Sequence, residues 1–247
     1  MLAIFRKEIS GFFSSLTGYV VILVFLLINS LFMWVFPGEW NIFDTGYAGL
    51  DTLFFLSPWV FLFLVPAVTM RMIAEEKRLG TIELIYSRPI TERGIIWGKY
   101  LASIILVLLA LLPGLIYYFS VYMLGESPGN LDKGGTLGAF IGLFFLASVY
   151  ASAGIFASSI TENQVVAFLL AVLICFFLFM GFDSFAYLPG LKKMDEFVLN
   201  LGINEHYKSV SRGVIDIKDA VYFISVALIF TEAARLVLLS RKWRKTR

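Results

Sequence analysis

The chain has 247 residues, of which 59% are hydrophobic and only 15% are charged, and its formal net charge is +2. Because soluble globular domains carry about 25% charged residues, this composition excludes an ordinary soluble protein and indicates an integral membrane protein. The apolar runs are long and continuous, which predicts transmembrane helices and excludes the alternating strands of a membrane barrel.

Residues 2–15 alternate apolar side chains with Arg6, Lys7 and Glu8, a pattern that favours an amphipathic helix in the membrane interface. The alternative is a frayed amino terminus that merely carries basic residues. After it come six apolar runs long enough to cross a bilayer, so we expect one all-α transmembrane domain over residues 1–247. The predicted spans are about 17–36, 53–72, 98–124, 136–158, 164–183 and 219–240.

The basic residues predict the orientation of these spans. An even number of spans places both termini on the same side of the membrane. Of the 20 Lys and Arg residues, fourteen lie near the termini and in the 71–99 loop, and six lie on the opposite face. Since cytoplasmic segments are rich in Lys and Arg, we expect both termini in the cytoplasm.

The loop between the second and third predicted spans is charged and compatible with a helix, although a simple loop would suffice. Leu79, Ile82 and Tyr86 fall on one helical stripe. Pro89 should end this helix, and Thr91 is placed to cap the next one. The segment predicts a short, rigid cytoplasmic helix that transmits force; the alternative is a charged loop that only follows the topology. The charged residues expected in solvent are Glu76, Lys77 and Arg78.

The fourth predicted span carries small residues at a spacing of four. Such residues let helix backbones approach closely inside a membrane. Packing within the chain is the first interpretation, and a subunit interface is the alternative. Immediately after this span, Thr161 and Gln164 have the spacing of a capping box for the fifth span. The candidate helix-packing residues are Gly138, Gly142, Ala147 and Ala151.

The segment 186–218, before the last span, predicts short helices on the extracytoplasmic side. These helices would rest on the interface or dip between the spans and close a pathway, and Asp216 should cap the last span. Within that span, Glu232 and Arg235 are three residues apart and can pair on one helix face. The residues expected on one face of the short helices are Leu191, Met194, Val198 and Leu201.

No catalytic motif stands out. The lone Cys175 excludes an intrachain disulfide, and the lone His206 lacks the partners of a zinc site. The chain has no P-loop motif, so it cannot bind ATP by that device. We therefore expect no catalytic residue, no metal and no cofactor in this chain.

The sequence EEKRLGTIELIYSRPIT, residues 75–91, resembles the cytoplasmic coupling-helix region of ABC-2 type transporter permeases. The resemblance implies an all-α membrane protein with six transmembrane helices, an amino-terminal interfacial helix, a cytoplasmic coupling helix and short extracytoplasmic helices. Four other stretches are similar to the gliding-motility branch of that family, the GldF type. They are FPGEWNIFD (36–44), FLVPAVTMR (63–71), GIFASSIT (154–161) and GINEHYKSVSRGVID (202–216).

The resemblance also implies partners and a mechanism. Two copies of a separate GldA-like ATPase would bind ATP and Mg, and the permease would pair with itself or with a GldG-like membrane subunit in the bacterial inner membrane. Movement of the ATPases would pass through the 75–88 helix to a pathway at the subunit interface. The residues that map to this coupling helix are Glu75, Glu76, Lys77, Arg78, Gly80, Thr81 and Glu83.

Two other functions stay open at this point. One is a membrane anchor of a motility or secretion machine, which would share the topology but would not respond to nucleotide. The other is a membrane-embedded enzyme that acts on lipid. Such an enzyme would need polar catalytic residues clustered at one membrane depth, and the sequence offers no such cluster.

Overall fold

The computed structural model describes residues 1–125, 131–186, 195–213 and 216–244, and the regular secondary structure of these residues is helical. An amino-terminal helix, α1 (Leu2–Phe13), precedes the first span. The shorter helices are α3 (Ile42–Thr45), α5 (Ile82–Tyr86), α10 (Phe182–Ala186), α11 (Asp195–Leu199) and α12 (Ile203–Ser211).

Six helical stretches are long and apolar enough to cross a membrane, which confirms the predicted all-α fold with six spans. The first span ends in a π-helical turn, the fifth contains one at Phe177–Gly181 before α10, and the third contains a 3₁₀ turn at Leu112–Gly114. The helices that form the spans are α2 (Leu16–Ser30), α4 (Asp51–Arg78), α6 (Glu92–Leu111) with α7 (Leu115–Leu124), α8 (Lys133–Ile160), α9 (Gln164–Phe176) and α13 (Ile217–Arg244).

The second and fourth spans, α4 and α8, form the centre of the bundle, and the first and fifth expose most of their apolar surface. Small residues allow this close packing. A Cβ on Gly154 would lie 2.0 Å from Thr69 Oγ1, so α8 touches α4 at that level. Ala147 and Ala151 are fully buried, so this stretch of α8 packs inside the chain.

The two ends of the bundle differ in content. We call the end with residues 1–15, 79–91 and 160–164 the terminal end, because the amino terminus and the last described turn of α13 lie there. The opposite end, which we call the distal end, holds α3, α11 and α12.

At the distal end, α12 lies against α8 and α4. A Cβ on Gly138 would lie 2.6 Å from Gly213 Cα, and Gly142 faces the ring of Tyr207. The Tyr207 hydroxyl donates a hydrogen bond to the Phe54 carbonyl oxygen at 2.7 Å. Gly138 and Gly142 therefore pack against the segment before the last span. Leu191 and Met194, which were expected on the same helical face, lie outside the described residues.

Two of the predicted helix caps are confirmed and one is wrong. Thr91 Oγ1 accepts the Gly94 N–H at 3.2 Å, and Asp216 accepts the Lys218 N–H at 3.1 Å. For the fifth span, the cap is Asn163, whose side chain accepts the Val165 N–H at 2.9 Å. The helix begins one residue after Asn163, so Thr161 stands too early to cap it.

Candidate functional site at the base of the second span

The charged segment that the sequence predicted as one helix over 75–88 is divided at Gly80. Helix α4 continues to Arg78, so its last turn consists of residues 75–78. Gly80 has φ +70°, in the left-handed region that favours glycine, and this conformation ends a helix. The chain then turns and forms α5, so the expected single helix is corrected to two helices joined by a tight turn.

Glu76 and Lys77 are buried, with exposed fractions of 6% and 7%. The expectation that they lie in solvent is therefore wrong, although Arg78 beside them is exposed. The physical reason is that the last turn of α4 packs among other helices of the bundle, where both charges find partners. Buried charges occur in proteins when they are paired in this way.

Glu76 belongs to a charge cluster that consists of Lys7, Glu8, Glu76 and Lys99. Lys99 is fully buried, and its Nζ lies 2.9 Å from Glu76 Oε1 and 2.6 Å from Glu8 Oε1. It also donates to the Met72 carbonyl oxygen at 2.5 Å. Lys7 donates to the same Glu76 oxygen. The cluster therefore joins α1, α4 and α6 at the terminal end.

Lys7 is charged within this cluster. Burial lowers its pKa, but the hydrogen bond to Glu76 and the negative charges of Glu76, Glu8 and Glu75 outweigh burial, so the pKa lies above its usual value. Lys7 therefore stays protonated at neutral pH. The amino-terminal helix is held to the second span by an ion pair as well as by apolar contacts.

Serines at the end of α8 tie α4 to the fourth span. Ser158 Oγ donates to the Met70 carbonyl oxygen at 2.8 Å and accepts the N–H groups of Ile73 and Ala74 at 3.1 and 3.0 Å. A side chain that bonds to the backbone groups of a neighbouring helix in this way holds the two helices at one position along each other. Lys77 Nζ donates to the Ser159 carbonyl oxygen one turn further on. The base of α4 is thus bonded to three neighbouring helices.

Helix α5 has a different environment. Ile82 is buried and attaches α5 to the bundle, while Leu84 is 68% exposed and Glu83 beside it is exposed as well. Leu79, which the sequence placed on the same stripe as Ile82, is 62% exposed. The stripe fails at Leu79 because the turn at Gly80 breaks the helical periodicity. The turn and α5 therefore present an outward surface with two leucines and a carboxylate.

A second ion-pair group lies at the terminal end. Arg235 Nη1 is 2.7 Å from Glu232 Oε2, which confirms the pair predicted within the last span. Arg93 Nε, near the start of α6, is 3.6 Å from Glu232 Oε1. These side chains are part-exposed, so this group adds less rigidity than the buried cluster.

Sequence reasoning missed the partners of Glu76. It counted Lys99 and Lys7 among the basic residues that set the topology, and it expected Glu8 on a solvated face. A signal was present, because Lys99 stands at the start of the predicted span 98–124 and a lysine within an apolar span needs a compensating carboxylate. The sequence did not show which carboxylate supplies it.

This arrangement is suited to mechanical coupling. It combines an exposed surface on α5 with a rigid, ion-paired base on α4. In the described part of the chain, no group of three or more His, Cys, Asp or Glu side chains is placed to hold a metal ion.

One comparison with known proteins assigns a family. The model of the family described as ABC-2 family transporter protein matches residues 59–239. The matched region covers α5, the base of α4 and the start of α6, and it leaves out α1. No curated protein matches the chain.

Proposed function

The chain belongs to the ABC-2 family of transporter proteins and is a transmembrane permease subunit of an ABC transporter, and on this premise we propose that α5 and the preceding turn dock a separate ATPase. The observation that carries this proposal is the contrast at Gly80 between an exposed α5 and a buried, bonded helix end. Family membership implies an ATPase partner, and α5 offers that partner apolar and charged contacts together. The proposed docking surface consists of Arg78, Leu79, Gly80, Thr81, Glu83 and Leu84.

In this proposal, Glu75, Glu76 and Lys77 couple the ATPase to the spans from behind the docking surface. Force applied to α5 reaches the last turn of α4 through three residues, 79–81. From there the force reaches α1 and α6 through the charge cluster, and it reaches α8 through Ser158. Helices joined by several buried polar bonds move together, whereas a loosely attached loop would absorb the displacement.

The remaining parts of the complex are proposed on the same basis. Two copies of the ATPase bind ATP and Mg, and the permease supplies no nucleotide site of its own. A second membrane subunit, either another copy or a different chain, completes the pathway. The apolar faces of α2 and α9 are largely exposed in the single chain, which leaves them for lipid or for that subunit.

The cellular setting is proposed from the basic residues and from the resemblance. With fourteen of the 20 Lys and Arg residues around the termini and the 71–99 loop, we place the terminal end in the cytoplasm and the spans in a bacterial inner membrane. The GldF-like stretches support a role in gliding motility, with GldA-like and GldG-like partners.

The test is co-purification from the native membrane through a tag at the carboxyl end, followed by an ATPase assay. We expect a P-loop ATPase in stoichiometric amount with the wild-type chain. Glu83→Lys should remove the ATPase, while Glu205→Lys, an equal charge reversal at the distal end, should keep it. A wild-type chain that purifies alone, with no nucleotide hydrolysis, would contradict the proposal and favour a membrane anchor.

A further inference from the structure

A cleft of about 600 Å³ opens between α1, α2 and α4 at the terminal end. Its walls include Phe12 and Val20 on the amino-terminal side and Val68, Arg71 and Glu75 on α4. Val20 is 44% exposed, so the rim of the cleft is open to the surroundings of the first span. The cleft is separate from the docking surface on α5, except that Leu79 and Thr81 touch its edge.

The cleft is graded from apolar to charged along α4. Val68 lies deeper in the bundle, whereas Glu75 lies seven residues closer to the terminal end. At 1.5 Å per residue, this difference corresponds to about 10 Å along the helix axis. A bound molecule with an apolar tail and a polar head would therefore have its head toward the terminal end. This is the orientation of a lipid in the leaflet on that side.

The side chains of two charged residues in the cleft, Arg71 and Glu75, form no hydrogen bond and no close ion pair within the described part of the chain. Both residues are half-buried, and Glu75 interacts with Lys7 only at longer range, through its charge. The other charges on the wall, Lys7, Glu8 and Glu76, are already paired in the charge cluster. Partly desolvated charges are costly without partners, so Arg71 and Glu75 are the groups available to a ligand.

The spacing of these two charges defines the headgroup. Residues at positions i and i+4 of a helix share one face, with Cβ atoms about 5–6 Å apart. Arg71 and Glu75 therefore present a cation and an anion side by side. Arginine binds phosphate oxygens with two parallel hydrogen bonds, and a carboxylate accepts hydrogen bonds from an ammonium group.

We propose that this cleft binds a phospholipid with a zwitterionic phosphoethanolamine headgroup. The phosphate binds Arg71, the ammonium binds Glu75, and an acyl chain lies against Val20, Val21 and Val68. A headgroup with phosphate alone would bind Arg71 but would give the Glu75 carboxylate no hydrogen-bond donor. The bound lipid fills the space between α1 and α4, so it supports the contact of the amino-terminal helix with the second span. This inference does not depend on the ATPase docking surface.

The experiment is native mass spectrometry of the full chain in detergent with equimolar phosphatidylethanolamine and phosphatidylglycerol of identical acyl chains. We expect the wild-type chain to retain phosphatidylethanolamine in preference. Arg71→Gln should lower retention of both lipids by about tenfold, the factor that corresponds to about 1.4 kcal/mol. Glu75→Gln should remove the preference between them, because only the ammonium contact is lost. Arg212→Gln, an equal change at the exposed distal end, should change neither.

Equal retention of both lipids by the wild-type chain would overturn the proposal, and so would a preference that survives both cleft variants. Soluble glycerophosphoethanolamine is the control that distinguishes binding of the headgroup alone from binding of a whole lipid. If it displaces the lipid at equal concentration, the site binds a free zwitterion and the lipid assignment is wrong. If it fails to displace the lipid, the acyl chain contributes to binding, as proposed. Folding of each variant is checked by its retained helical circular dichroism.

Discussion

The two sides of Gly80 each carry charged residues, and these residues have different environments. Glu76 and Lys77, before it, are buried and paired, while Glu83 and Leu84, after it, are exposed. The difference shows that a charged stretch between two membrane spans is not uniformly a solvent-facing loop. One part continues the bundle and is bonded to its neighbours, and the other part is exposed.

This division gives the charges of residues 75–88 two different roles in stability. On the buried side, each charge must meet one specific partner on a neighbouring helix, so the charges fix how the helices pack against each other. On the exposed side, charges and leucines add little to the stability of the chain and are available for binding. Substitutions on the two sides should therefore separate stability from association.

The largest effect is expected for Lys99→Met. This change leaves the buried Glu76 and the part-buried Glu8 with Lys7 as the one remaining cation of the charge cluster. Removal of one member of a buried ion pair costs up to about 5 kcal/mol of unfolding free energy. Thermal unfolding of the purified chain measures it. Lys133→Met, at an exposed lysine near the distal end, is the matched control. An unchanged melting temperature for Lys99→Met would show that the buried side is not held by its charges.

Gly154→Ala should have the next largest effect. The new Cβ would lie 2.0 Å from Thr69 Oγ1, so α4 and α8 must separate where they now touch. Overpacking of this kind costs about 1–3 kcal/mol. Gly11→Ala in α1, whose added Cβ meets no atom within 4 Å, is the control and should not lower the unfolding temperature.

A smaller effect on stability is expected for Gly80→Ala, which tests the turn that separates α4 from α5. An added Cβ meets no atom within 4 Å, so the cost comes from φ +70° alone and is about 1 kcal/mol. Gly80→Asn should cost less, because asparagine tolerates the left-handed region better. Unfolding by heat in the same detergent ranks the three chains. An equal loss for both variants would argue against backbone conformation as the cause.

The smallest effect on stability is expected for Leu84→Asp. Its side chain is exposed, and surface substitutions of this kind change the unfolding free energy by less than about 0.5 kcal/mol. ATPase co-purification should nevertheless be lost, because an apolar contact is replaced by a charge. If Leu84→Asp unfolded at a lower temperature, or if it still co-purified with the ATPase, the predicted difference between the two sides of Gly80 would be wrong.

Local features of this fold were predictable from the sequence, and long-range ones were not. The six spans and the caps Thr91 and Asp216 depend on residues close together in the chain. Glu76 is 69 positions from Lys7 in the chain and Lys99 is 91 positions from Glu8, and no local pattern contains those pairings. The helix end at Gly80 was signalled by the glycine itself, which marks the end of helices more often than their interior.

The most direct test of the account places a photo-crosslinking amino acid at position 84 or, in a second variant, at position 82. The two positions lie on the same short helix, but Leu84 is exposed and Ile82 is 3% exposed. After irradiation in native membranes, we predict a crosslink from position 84 to a P-loop ATPase and crosslinks from position 82 within the chain only. An ATPase crosslink at neither position, or equally at both, would contradict the proposal that α5 presents one face to the ATPase.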